Sequence, residues 1–158
     1  MSEPATIEQR LRRLEDIEEI RRLRMRYHVN INEERFGEMP ALFTEDAVVD
    51  FGHVGGATGL ADIEALFLAL PSTLDLVKQF IHNHLVDVEG DRATGLAYLD
   101  ARYARAGESV MVAARFDEVY RRTGDGWRIA EMRVHLFFAV PISEGWAGKS
   151  DYRIQPFR

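Results

Sequence analysis

From Val77 to Phe138 the chain consists of four long strand-like runs separated by turns of only a few residues. Val77 to Val88 alternates loosely and ends at Glu89-Gly90-Asp91. Arg92 to Arg105 ends near Gly107. Ser109 to Arg122 carries Val110, Val112, Ala114 and Phe116 on one face, and Thr123-Gly124-Asp125-Gly126 leads into Trp127 to Phe138. Turns this short between runs this long make neighbouring strands antiparallel. A sheet with one apolar face must be covered by another layer.

The covering layer lies upstream. Thr6 and Gln9 form a T-x-x-Q capping box, a helix-start signal. Ile7, Leu11, Leu14, Ile17, Ile20, Leu23, Tyr27 and Ile31 follow at spacings of three and four, which predicts an amphipathic helix over residues 7–33. A short helix is expected around Met39, Leu42 and Phe43, with Pro40 in its first turn. Ala47 to Phe51 is rich in β-formers, and Gly52, Gly55, Gly56 and Gly59 then interrupt it. Ile63, Leu66, Phe67 and Leu70 predict a third helix, stopped at Pro71.

Helices first and a strand meander after them give an α+β class. The expected architecture is a conical, half-open barrel: a curved antiparallel sheet wrapped on one long N-terminal helix and two shorter ones. At 158 residues, with no internal repeat or linker, the chain reads as one domain with its core over residues 7–140. Residues 141–158 read as an irregular tail. Its Trp146, Tyr152, Ile154 and Phe157 are expected to pack on the core or on a neighbouring subunit.

Twenty Lys and Arg against 26 Asp and Glu leave a formal charge of -6, the wrong sign for a nucleic-acid partner. The arginines of the first helix (Arg10, Arg12, Arg13, Arg21, Arg22, Arg24, Arg26) alternate with Glu8, Glu15, Asp16, Glu18 and Glu19. Mixed signs at helical spacing predict a solvated face or an oligomer contact. Zero cysteines remove disulfides, thiolate catalysis and cysteine-bound metals. The polar Met1-Ser2-Glu3-Pro4 start lacks a signal core, and no run approaches the roughly 20 apolar residues of a membrane span. A cytoplasmic protein without a membrane partner is expected.

The glycines at 52–59 open no phosphate-binding motif, and no G-x-S-x-G elbow occurs. His82-x-His84 is the nearest metal-like spacing. On a regular strand the two would share a face, and His53 or His135 could add a third ligand. Nothing in the spacing fixes that geometry, and no metal is expected. Polar residues set among apolar ones are the better candidates: Tyr27 on the helical stripe, Asn32 near the helix end, and Gln79 and His82 where the first long strand begins. Glu131, Arg133 and His135 share one strand face by period-two alternation. Buried polar groups usually have partners, so these can satisfy one another or serve an interface as readily as a site.

The order of these pieces resembles a known family. The long helix with Tyr27, "LFTEDAVVDF" (Leu42 to Phe51), the glycine-rich loop and helix, "VDVEGDRATGLAYLDARY" (Val86 to Tyr103) and "YRRTGDGWRIAEMRV" (Tyr120 to Val134) are together similar to the SnoaL-like branch of the nuclear-transport-factor-2-like superfamily. The resemblance spans residues 7–140. Bile-acid 7α-dehydratases, scytalone dehydratase and hexachlorocyclohexane dehydrochlorinase are the relatives it suggests. It implies an α+β cone, a homodimer or homotrimer, no metal or organic cofactor, and elimination, isomerisation or ring closure on an apolar, polycyclic small molecule such as a steroid or polyketide.

In lyase members of that family an Asp near the end of the long helix orients a His at the start of a long strand, and the His acts as general base. This chain has Asn32 and Gln79 at those positions and Tyr27 five residues before the first. Amides donate and accept hydrogen bonds but cannot serve as a base. Three readings stay open. One is a lyase or isomerase with the base relocated to His82 or His135 and assisted by Tyr27. Another is a cyclase-type pocket in which Tyr27, Asn32, Gln79 and Tyr103 hold the substrate in a reactive shape. The last is a binding protein without chemistry. Phe51, His53, Tyr103, Phe116, Glu131 and Arg133 are the expected substrate contacts.

Overall fold

The computed structural model of the chain describes residues 5–147. Helix α1 spans Ile7–Asn32 and begins at the expected capping box, with Thr6 and Gln9 bonded reciprocally. Two 3-10 turns, Phe36–Glu38 and Pro40–Leu42, replace the single short helix read from the sequence. Strand β1 (Phe43–Asp50) starts earlier than expected, because Phe43 and Thr44 are already buried in extended conformation. A 3-10 turn (Gly52–Val54) and the short β2 (Gly56–Thr58) lead to α2 (Leu60–Leu68) and α3 (Leu70–Thr73). Pro71 does not end a helix. It sits in the first turn of α3, where its missing N–H costs nothing.

The four predicted runs form β3 (Leu76–Glu89), β4 (Arg92–Arg105), β5 (Glu108–Thr123) and β6 (Gly126–Pro141), each pairing antiparallel with the next. The sheet order is β2-β1-β6-β5-β4-β3. β1 lies parallel to β6, so the sheet is mixed rather than wholly antiparallel. The result is three helices on one face of a curved, unclosed six-stranded sheet, an α+β cone.

Only the second half of the α1 stripe is core. Ile20, Leu23, Tyr27 and Ile31 are buried, whereas Ile7, Leu11 and Leu14 are exposed. The periodicity is real throughout, but the first turns of α1 run past the sheet and have nothing to cover. At that end α1 is pinned by polar contacts to the β5–β6 turn. Asp16 accepts from Trp127 Nε1 at 3.1 Å and from Arg122 Nη2 at 2.8 Å, and Glu19 accepts from Trp127 N at 3.0 Å. Burial pushes the Asp16 carboxyl up, but the bonds from Arg122 and Trp127 outweigh it and hold the group below its ordinary range.

The sheet interior is packed by Ala93, Ala97, Leu99, Ala101, Val110, Val112, Ala114, Phe116, Ile129 and Met132 against Tyr27, Phe43, Ile63 and Phe67. Of the tail, Trp146 is exposed and stacks on Phe138, with ring centroids 5.7 Å apart. Tyr152, Ile154 and Phe157 lie outside the described residues.

Candidate active site: an apolar cavity with three neutral polar groups

The wide end of the cone holds a cavity of about 130 Å³ between the concave sheet face, the C-terminal half of α1, α2 and α3, and the Phe51–Val54 turn. Its wall is aliphatic and aromatic. The polar side chains among its described lining residues are Tyr27, Gln79 and Tyr103. Phe51 and Phe116 also line it, as the sequence suggested. Leu66, Leu70 and Leu74 line the cavity yet remain partly exposed, so they form its rim.

Tyr27 is 1% exposed. Phe43, Phe67 and Phe116 meet its ring edge to face at centroid distances of 6.4, 5.9 and 6.4 Å. Burial drives its phenol well above the ordinary value of 10, and the nearby Arg24 charge only partly offsets this. Tyr27 is therefore a neutral hydroxyl at physiological pH. Burial raises Tyr103 as well. The wall thus offers hydrogen-bonding groups that keep their protons, the requirement for stabilising an oxygen that gains charge.

Asn32 and Gln79 do meet, but side chain to backbone. Asn32 Nδ2 donates to Gln79 O at 2.8 Å, and Gln79 N donates to Asn32 Oδ1 at 2.7 Å. Lys78 Nζ donates to Asn32 O. The Asn32 carboxamide is thus a clamp between the end of α1 and the start of β3. An aspartate there could accept from the Gln79 N–H but could not donate to its carbonyl. The Gln79 side chain is left to the cavity, and its Oε1 is buried without a hydrogen-bond partner.

Both histidines considered as a relocated base lie elsewhere. In β3 the register shifts between Ile81 and His84. Val77 and Gln79 point inward before this bulge, and His84 and Val86 lie on the inner side after it. His82 therefore faces outward, 65% exposed, with Nε2 3.7 Å from Asp100. The expected shared face for His82 and His84 is lost to that one extra residue. On β6, Glu131, Arg133 and His135 do share a face, but it is the outer one, because Val134 and Leu136 take the cavity side. His135 Nε2 lies 2.9 Å from Asp117, and Arg133 lies 3.8 Å from Glu131. Neither Glu131 nor Arg133 contacts the cavity. For His53 only the backbone is described; its neighbours Gly52 and Val54 line the wall.

Directly behind Tyr27 and Phe116 is a buried polar cluster that the sequence reading missed. The Arg24 guanidinium lies 4.4 Å from the Tyr27 ring centroid and 4.3 Å from that of Phe116. Its Nε is 2.5 Å from Glu118 Oε1. Tyr120 donates to Glu118 Oε2, and His84 Nε2 lies 3.5 Å from the same oxygen and 3.2 Å from the Tyr120 hydroxyl. Burial alone would raise the Glu118 carboxyl, but Arg24, His84 and Tyr120 together hold it below its ordinary range. His28 is also buried, with its ring 5.3 Å from that of Tyr27. Arg24 is thus no part of the solvated arginine face. It sits four residues after Ile20 and three before Tyr27, on the apolar stripe itself. Period two carried past Phe116 would have placed Glu118 and Tyr120 on the inner face. No sequence signal would have found His84, because the bulge decides its side.

Residues 12–133 match the family model of the SnoaL-like domain. The chain belongs to the SnoaL-like family. It is 29% identical over 115 residues to an uncharacterized protein of Mycobacterium tuberculosis, covering 70% of this chain and 78% of that one. It superposes on an NTF2-like protein with a cystatin-like fold from Novosphingobium aromaticivorans with a TM-score of 0.69 at 28% identity, covering 96% of each chain. It also superposes on the LinA-type3 hexachlorocyclohexane dehydrochlorinase from Novosphingobium barchaimii. There the TM-score is 0.77 at 17% identity, over 88% of this chain and 95% of that one. Among the described residues of this SnoaL-like chain, no helix is long and apolar enough to cross a membrane.

Proposed function

We propose that this SnoaL-like protein is a cofactor-independent enzyme that works by positioning. It takes an apolar ring into the cavity and promotes ring closure, or an elimination or isomerisation in which a water or the substrate's own basic group takes the proton, with Tyr27 donating a hydrogen bond to the oxygen that gains charge. One observation carries the reading: an apolar wall whose described polar side chains, Tyr27, Gln79 and Tyr103, are neutral hydrogen-bonding groups. The outward placement of His82 and His135 counts against a relocated imidazole base.

The cavity size sharpens the substrate. About 130 Å³ compares with the ~150 Å³ of an apolar cavity that takes up benzene. One ring fits inside, and the remainder of a polycyclic substrate would lie at the Leu66–Leu70–Leu74 rim.

The test is a screen of hydroxysteroids, polyketides and halogenated rings, with bound ligand and product both read by mass spectrometry. Tyr27→Phe is expected to lower turnover by roughly 10²- to 10³-fold while keeping binding within a few-fold, as loss of one preorganised donor does. Unchanged turnover in that variant, or a pH-dependent rate limb that His82 or His135 substitution removes, would overturn the reading. Ligand retained without product by the wild-type protein would identify a binding protein. That outcome is favoured by the Asn32 clamp, which commits one of the two amides to structure. Self-association as a dimer or trimer belongs to the same reading and is measured by analytical ultracentrifugation.

A further inference from the structure

A buried amide oxygen without a partner is costly. Leaving such an acceptor unsatisfied costs more than a typical hydrogen bond contributes. In this cavity that atom is Gln79 Oε1. The other polar side chains of the described wall are Tyr27 and Tyr103, and neither donates a hydrogen bond to it. The backbone that carries it is anchored. The residue's own N–H and C=O are both held by Asn32, and its cross-strand neighbour on β4 is Ala101, whose small side chain leaves the space in front of it open.

We infer that Gln79 is the specificity-determining residue of the cavity. Its side-chain oxygen accepts a hydrogen bond from a hydroxyl or N–H on the ligand, so the protein selects donor-bearing apolar rings over donor-free rings of the same shape. The inference rests on the cavity being a ligand site, as proposed above, and adds the chemical class of the ligand. It also gives the two amides separate duties: Asn32 fixes the strand, and Gln79 reads the ligand. Discrimination of this kind is steep because a ligand without a donor leaves the acceptor unpaired in a dry site.

The experiment uses the full chain and three single-ring probes. Phenol and toluene share a shape and differ in a hydroxyl against a methyl group. Anisole accepts but cannot donate. Binding is followed by nuclear magnetic resonance titration, with the Gln79 side-chain NH₂ signal as the local reporter. The wild-type protein is expected to bind phenol roughly tenfold more tightly than toluene or anisole, the worth of one satisfied buried acceptor. Gln79→Met keeps the length of the side chain and the backbone bonds to Asn32. It is expected to erase or reverse the preference while binding toluene at least as well.

The inference is overturned if the wild-type protein binds toluene as well as phenol. It is equally overturned if the phenol preference survives in Gln79→Met, or if anisole shares it, since the amide would then be presenting its N–H. If none of the three probes binds, the cavity itself is not a ligand site and the proposed function fails with the inference. Binding without preference sinks the inference alone.

Discussion

His28 shows how a single buried side chain ties this fold to pH. Its ring is 4% exposed, packed against Tyr27 and Phe116, and neither nitrogen has a hydrogen-bond partner. Burial, followed by the charge of Arg24 and the neighbouring His84, lowers it from the ordinary 6.5 to about 2. The folded state therefore excludes the proton that the unfolded chain takes up below pH 6.5. Stability is complete above that value and falls as the solution is acidified, by about 1.4 kcal/mol per pH unit for this one group. The Glu118 carboxyl, also held low, adds its loss only below its own ordinary 4.5. Urea unfolding at pH 7.0, 6.0 and 5.5 should thus show a decline that His28→Phe largely removes. An equal slope in the variant would assign the loss to another group. None of this was legible in the sequence. His28 adjoins Tyr27 on the helix, but whether a residue beside an apolar stripe is buried depends on how far the sheet wraps around it.

At the scale of elements the sequence was most informative where a pattern ran long. The capping box, the span of α1 and the β5 face carrying Val110, Val112, Ala114 and Phe116 appear as read, whereas the α1 stripe is core only from Ile20 onward. The errors came from single residues that change the phase. The bulge after Ile81 turns β3 over, and the shifts at Ala113/Ala114 and Val119/Tyr120 each place one extra residue on β6 while β5 keeps its alternation. Gly95 marks another such place. It lies in β4 opposite Glu118, and a Cβ built there would fall 2.7 Å from Tyr120 Cε2, 3.1 Å from His84 Nε2 and 3.2 Å from Glu118 Oε2. A glycine inside a strand weakens it and often marks the close approach of another group. Here it makes room for the cluster that backs Tyr27. Gly95→Ala is expected to destabilise the protein by roughly 1–3 kcal/mol through overpacking, despite alanine's advantage in an unfolded-state comparison. Gly90→Ala in the β3–β4 turn meets no atom within 4 Å, so any loss there reflects its positive φ of 61° alone. Denaturant midpoints of the two variants separate crowding from backbone strain. A Gly95→Ala protein as stable as the wild type would mean that Tyr120 and His84 move aside freely.

For the whole molecule, the cavity is a cost that a purely structural protein would not carry. Its wall contains small residues where larger ones would fill the cone, Ala101 being the clearest. That residue is 5% exposed, lies on the inner face of β4, and is flanked across the sheet by Gln79 and Val112. Interiors are close-packed, and an empty volume forfeits the contacts its lining would otherwise make. Filling it should therefore recover stability at the expense of the site. Ala101→Leu adds three carbons directed into about 130 Å³ of space and needs no backbone change. The expected result is a gain of about 0.5–2 kcal/mol in urea unfolding, with loss of phenol binding in the same preparation. The opposite sign would come from an already well-filled interior, where added methylenes usually cost 1–3 kcal/mol. The two measurements must be read together. Higher stability with lost binding marks a cavity kept open for a ligand. Lower stability with binding retained would mean that the probes bind somewhere other than the space beside Ala101, and that the cone is packed as tightly as its stability allows.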